Sequence, residues 1–300
     1  MYNFWMLKIK KLVRAFYDAA LDLNRHYGFE QAGYISFLVI LTIFPFFAVL
    51  IIIVSHTAIK LDIHEVIISL IRGFLLEKDV HQFIDALMPA ILEIISSPPS
   101  KFLTFALFSM VWTASSIFFA IRTVLNVAYR AQDKRHYLVV RLLSMLEFSV
   151  FTIMVAVILI AVTLFPYLLY LVKFYFTTQQ GDGQQFASLS QYEYSLFGDN
   201  FALAKQFFYW FVICALTSSL FYWIPCRRQR FRDVIPGTIV VFIGWELFSY
   251  IFGYYIKYFP QINMVYGSIA GVVISLMYFY FCSIIFIYGA ELNYRIEKIR

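Results

Sequence analysis

Among residues able to do chemistry, the five histidines His26, His56, His64, His81 and His136 are scattered along the chain and fall on both predicted sides of the membrane. No His-x-His or His-Glu-x-x-His spacing occurs, and no close Asp/Glu cluster faces the cytoplasm. A metal-dependent nuclease or protease needs several oxygen or nitrogen ligands converging on its ions. The sequence therefore argues against such an enzyme and calls for no metal and no cofactor. Cys214 and Cys282 lie within apolar runs and Cys226 follows Pro225 at an expected cytoplasmic edge, so no pair is set for a disulfide or a metal cage.

The residues that stand out are polar groups inside apolar runs, which lipid cannot satisfy and which usually face a bundle interior or a hydrated path. Glu246 is the clearest. Counting about 12 residues from Val234 at 1.5 Å each puts it roughly 18 Å deep, near mid-bilayer. Ser249, Tyr250, Gly253 and Lys257 share its helical face. A second stripe carries Thr104, Ser115, Arg122, Asn126 and Tyr129, in which Arg122 either pairs within the bundle or snorkels to the interface. These stripes define a candidate intramembrane network of Arg122, Asn126, Glu246, Ser249, Tyr250 and Lys257. Pairing of Arg122 with Glu246 would offset the insertion cost of both, and a protonated, neutral Glu246 is the competing arrangement. In a third run Gly267, Gly271 and Ser275 align at GxxxG-type spacing, and with Gly253 they suit close helix packing.

The elements that must position these residues are membrane-spanning helices. Hydrophobic residues make up 62% and charged residues 14% of the 300 positions, against about 45–50% and 25% in soluble domains. The expected fold is an all-α, polytopic membrane helical bundle with about six transmembrane helices, each needing roughly 20 apolar residues. The spans fall at about 34–55, 102–128, 142–172, 202–224, 234–258 and 265–290, forming a single membrane domain over 1–300. Pro45 should kink the first span, and Pro166 offers a bend in the long third one. Before them, residues 1–33 lack the apolar core and cleavage site of a signal peptide. They are expected to form an interfacial helix with Trp5, Ile9, Leu12, Phe16, Ala20 and Leu23 on one stripe, resting either on lipid or on the bundle's own loops. Between the first two spans, residues 60–95 read as amphipathic helices that either cap an outer mouth or lie on the membrane surface. The loop 177–200, rich in Gly, Gln and Ser, is expected to be mobile.

Orientation follows from Lys and Arg counted loop by loop. Basic residues gather in the segments before the first span, after the second, after the fourth and after the sixth, whereas the intervening loops carry fewer, diluted by acids. Both termini are expected in the cytoplasm. The same bias accounts for the net charge of +6 without invoking nucleic acid as a partner. Membrane lipids are the expected partners, together with a homo-oligomer and an unknown transported solute or envelope protein.

Specific motifs appear before the fifth span and persist to the end. The run YWIPCRRQRFRDVIPGTIVVFIGWELFSYIFGYYIKYF, followed by NMVYGSIAGVVISLMYFYFCSIIFIYGAELNYRIEK, resembles the C-terminal half of the YihY/BrkB family of bacterial inner-membrane proteins. AGYISFLVILTIFPFFAVLI and WTASSIFFAIRTVLNVAYR resemble its first two spans, although Ile117, Phe118 and Phe119 stand where the pattern often has a small residue. The resemblance implies a six-helix inner-membrane protein. It brings an older ribonuclease BN label for parts of the family and a virulence label associated with serum resistance for another part. Three readings are carried forward, in this order: a transporter or channel for an ion, small solute or lipid; a non-transporting envelope scaffold; and an enzyme acting on lipid or nucleic acid.

Overall fold

A computed structural model describes residues 2–43, 108, 110–178, 189–227, 229–258 and 270–299. All regular structure in this part of the chain is helical. We number the helices α1 (Tyr2–Arg25), α2 (Gly28–Ile43), α3 (Ser116–Ala128), α4 (Tyr137–Thr178), α5 (Leu189–Trp223), α6 (Phe231–Tyr258) and α7 (Ala270–Ile299). Five apolar stretches are long enough to cross a bilayer: Met110–Ala128, Tyr137–Ile158, Gln206–Trp223, Phe231–Lys257 and Gly271–Ile299. α2 is a shorter apolar helix covering the start of the expected first span. The rest of that span with Pro45, the amphipathic segment 60–95 and Gly267 lie outside the described residues.

Helix ends depart from expectation in two places. α5 begins at Leu189, so residues 189–200 of the loop expected to be mobile are helical. Their mix of Tyr, Leu and Phe with polar residues was read as loop because the Gly and Gln before it dominate the composition. α7 runs on to Ile299, about nine residues past the expected end of the last span, and Arg295 in this extension is bound to Asp22 of α1.

The described chain forms two compact units, Met1–Ile43 with Ser115–Met145 and Phe208–Arg300, and Phe44–Ala114 with Leu146–Phe207. In the second unit Phe148, Thr152 and Ala156 recur every four residues and are buried, while Val150, Ile153 and Val157 on the opposite face of α4 are exposed. The Thr152 hydroxyl donates to the Phe148 carbonyl at 2.8 Å, the local bond by which a threonine is satisfied inside an apolar helix.

The first unit is built on the packing of α6, α7 and α1. Gly237 and Gly289 face each other where α6 crosses α7: a Cβ on Gly237 would run into the Gly289 carbonyl and the Asn293 side chain, and one on Gly289 into Val241. Gly244 meets Ile285 in the same way. Small residues let the backbones approach, which is how membrane helices gain contact when lipid is as apolar as leucine. α1 packs on α7 through Ala15 and Ala19 against Leu292 and Ile296. The buried stripe of α1 is thus Ala15, Ala19, Asp22 and Leu23, whereas Leu12, Phe16 and Ala20 of the expected apolar stripe are exposed. One face of α1 thus packs on α7, and the opposite face is exposed.

Candidate functional site

Among the described residues, the largest concentration of buried charge lies where the end of α1, the corner after α3 and the end of α7 meet. Asp22 and Glu291 are almost fully buried, 2% and 1% exposed. Asp22 Oδ2 accepts from Arg130 Nη2 at 2.7 Å and from Arg295 Nε at 2.6 Å. Glu291 Oε2 accepts from Arg130 Nη1 at 2.6 Å, and its Oε1 lies 2.9 Å from His26 Nδ1. Arg130 therefore bridges two carboxylates that belong to the first and last helices. Its guanidinium also sits 4.3 Å from the centre of the Tyr294 ring, a cation–π contact that strengthens away from water. Arg295 reaches Asp18 as well, at 3.8 Å. Burial pushes the Asp22 carboxyl up, but the Arg295 hydrogen bond and the charges of Arg130, Arg295 and His26 outweigh it and hold the group below the usual aspartate range.

The backbone aims these groups. α3 ends with Arg130 N–H on the Val127 carbonyl and Ala131 N–H on the Asn126 carbonyl, the paired bonds of a Schellman ending, whose turn residue usually is glycine. Here that residue is Arg130, at φ 54°. An arginine in this left-handed conformation is strained, and the ion pairs of its side chain hold it there. A second left-handed residue, Tyr27 at φ 55°, turns the chain from α1 into α2 directly after His26.

Asn293 ties this cluster to the helix crossing. Its Oδ1 accepts from the Gly237 backbone N–H at 2.6 Å and its Nδ2 donates to the Tyr129 hydroxyl at 3.1 Å. The stretches RDVIPG (232–237) and GAELN (289–293) within the two family-like runs are therefore two sides of one joint: Gly237 and Gly289 allow the approach, Asn293 locks it, and Glu291 carries the ion pairs. Arg227 extends the joint by donating to Glu297 at 2.8 Å.

A smaller polar group flanks it. Arg122 Nη1 donates to the Ile224 carbonyl at 3.0 Å and lies 3.8 Å from Cys226 Sγ. Asn126 Oδ1 accepts from the Cys226 backbone N–H at 2.9 Å. The Cys226 thiol donates to Asp133 Oδ2 at 3.0 Å, and the Arg135 backbone N–H to Asp133 Oδ1 at 3.0 Å. Burial raises the Asp133 carboxyl, yet these bonds and the charges of Arg135 and Arg122 leave it below its ordinary value.

Against the expected network, the structure joins Arg122 and Asn126 to the corner at 224–226. Glu246, Tyr250 and Lys257 instead stand on the exposed face of α6, and no ion pair joins Glu246 to Arg122. Ser249 is turned inward, 2.9 Å from the Tyr278 hydroxyl of α7, and Trp245 Nε1 donates to the Cys282 carbonyl at 2.9 Å. A Cβ at Gly253 or Gly271 would meet nothing within 4 Å, and Ser275 is half-buried. The tight crossing lies toward the other end of α6, at Gly237 and Gly289. Sequence reasoning passed over Asp22, His26, Arg130 and Arg295 as chemistry, since each lies in a basic or amphipathic segment where charge is ordinary. The available signal was Asp18 and Asp22 at i, i+4 on a helix otherwise rich in cations, and Glu291 with Arg295 at the same spacing in the last span. Among the described residues no three His, Cys, Asp and Glu side chains are grouped to hold a metal ion.

The sequence model of a family described as Virulence factor BrkB matches residues 19–300. A ribonuclease-like protein, YfkH, of Bacillus subtilis (strain 168) is 24% identical over 286 residues, covering 91% of each chain. A UPF0761 membrane protein of Vibrio vulnificus (strain YJ016) is 24% identical over 269 residues, covering 88% of this chain and 76% of its own. One from Idiomarina loihiensis is 27% identical over 188 residues, covering 60% of this chain and 56% of its own. No solved structure matches.

Proposed function

The chain belongs to the Virulence factor BrkB family of membrane proteins, and we propose that it is a transporter or channel of the bacterial inner membrane, moving an ion, small solute or lipid past the polar face of α6. The observation that carries this reading is Glu246. It lies midway along an apolar 28-residue helix, it is exposed, and among the described residues it has no hydrogen-bond or ion-pair partner. An ionisable group kept in a span is costly and usually faces a water-filled cavity or a pathway. On the same exposed side of α6 stand Tyr250 and Lys257, whereas Ser249 is turned inward to the Tyr278 hydroxyl of α7.

The joint supports the orientation. Asp22, Arg130, Arg227, Glu291 and Arg295 come together, so four basic segments share a side, which supports a cytoplasmic reading of that side under the positive-inside bias. A second reading, a non-transporting envelope scaffold, draws support from the virulence description of the family. The ribonuclease-like name of one relative is weak support for nuclease chemistry here, because the histidines are dispersed. Purified protein in liposomes, tested against a panel of ions and small solutes, separates the readings. Flux lost in Glu246→Gln is expected. Absence of flux for every solute, with a specific envelope partner recovered, would replace transport by the scaffold.

A further inference from the structure

Beside the joint, the exposed side of α3 and the chain leading into α4 enclose an open cavity of about 360 Å³, at the small end of the range for small-molecule sites. Arg122, Thr123 and Asn126 line one wall, and Asp133, Arg135 and Tyr137 the other. We propose that this cavity binds the phosphate of an anionic phospholipid headgroup.

Charge is the first argument. Two arginines line the cavity against one acidic residue, and Lys134 and His136 flank its loop. Asp133 has its two oxygens filled by the Cys226 thiol and the Arg135 backbone N–H. The Arg135 guanidinium approaches it only to 3.8 Å and is 46% exposed. Among the described residues that side chain donates no hydrogen bond. Its planar donors thus remain available to a phosphate, the anion an arginine matches best. Rigidity is the second argument. Arg122 and Asn126 are fixed by their bonds to the corner at 224–226, so the wall is in place before any ligand arrives, which lowers the ordering cost of binding.

Position selects a lipid over a free phosphate. The rim continues directly into the first turns of α4, where Tyr137, Leu138, Val139 and Leu142 are all exposed, in a stretch apolar enough to cross a membrane. A headgroup in the cavity leaves its acyl chains lying along that face. The site lies apart from Glu246, and its occupation does not depend on whether the protein transports anything.

The test uses the full chain in nanodiscs of phosphatidylcholine carrying a few per cent of headgroup-labelled phosphatidylglycerol, with native mass spectrometry of the released protein. Phosphatidylglycerol retained in preference to phosphatidylcholine is the expected result. Arg135→Gln, at an exposed position that leaves the fold intact, should weaken retention about fivefold, as loss of one basic contact at an anionic surface does, and Arg135→Lys should restore part of it. Lys10→Gln and Lys11→Gln, equal charge changes on exposed α1, should leave it unaltered. Equal retention of both lipids, or retention lowered as much by the α1 variants as by Arg135→Gln, overturns the site. Inorganic phosphate that displaces the labelled lipid at low millimolar concentration overturns the preference for a lipid.

Discussion

The joint at the basic end and the middle of α6 treat ionisable residues in opposite ways. At the joint, Asp22 and Glu291 are buried and each accepts charge-assisted bonds from more than one partner. In mid-span, Glu246 is exposed and makes no hydrogen bond or ion pair among the described residues. A closed set of charges fixes geometry, because opening any bond leaves another charge buried without a partner. An open carboxyl fixes nothing and remains free to meet something that is not part of the fold. The contrast gives the first region a structural role and, on the proposed transport reading, makes the second the place where a solute would meet the protein.

The sharpest way to break that contrast is Glu291→Ala. It would leave Arg130 and His26 facing an emptied site, and loss of one partner of a buried pair typically amounts to about 3–5 kcal/mol. Thermal unfolding in lipid should show it as the most damaging single charge removal, and a wild-type midpoint would contradict a structural joint. Next comes the crossing itself. Gly237→Ala puts a methyl into the Gly289 carbonyl and Asn293, an overpacking that costs about 1–3 kcal/mol, whereas Gly253→Ala meets open space and should be silent in the same assay. A joint that tolerated both equally would not be where the helices press together.

Acid probes the same place. Since Asp22 is held below its ordinary value of 3.8, its contribution is fully present above that value and is lost as pH falls through the lower folded value. Release of α1 from α7, followed by hydrogen exchange at residues 15–26, is therefore expected below about pH 3.8 and not between pH 5 and 8 on account of this group. Protection at residues 15–26 that shows no progressive fall as pH is lowered below about 3.8 would remove Asp22 from the α1–α7 contact. A smaller effect separates backbone from side chain at Arg130. Arg130→Ala and Arg130→Gly both lose the ion pairs, but only glycine relieves the left-handed turn, so the glycine variant should be the more stable by about 1 kcal/mol. Equal midpoints would mean that the turn relaxes in both.

How much of this was legible beforehand depends on the kind of interaction. The spans and their helical class follow from apolar runs that outlast the bilayer thickness, and the described residues of the stretches expected at 102–128, 142–172 and 234–258 lie within long apolar helical stretches. α5 starts earlier because a short polar segment between helices does not announce whether it continues the next helix. The joint was hidden for a different reason. Its partners are separated by 108 positions between Asp22 and Arg130 and by 161 between Arg130 and Glu291, and a local pattern carries no information about such pairings. Motif residues Gly237, Gly289, Glu291 and Asn293 were visible as specific, but that they face one another is a fact of packing. Glu246 was visible because a carboxyl amid apolar residues is conspicuous by itself. Its exposure was not, since helical periodicity names a face without naming what that face meets.

The finest test concerns Arg122 and Glu246, which the sequence invites one to pair. In the structure the arginine is fixed to the Ile224 carbonyl and Cys226, while Glu246 is exposed on α6. Losing Arg122 should destabilise the corner at 224–226. Losing the carboxyl charge in Glu246→Gln removes no bond from the described structure and should change stability by no more than about 0.5 kcal/mol, as surface substitutions do. A double-mutant cycle on folded protein in lipid should then give losses that add to within about 0.5 kcal/mol, the behaviour of sites without shared partners. Strong coupling would show that the two charges communicate and that the open carboxyl belongs to the closed network after all. Additive stability combined with flux that depends on Glu246 alone would separate the two regions into one that holds the protein together and one that works.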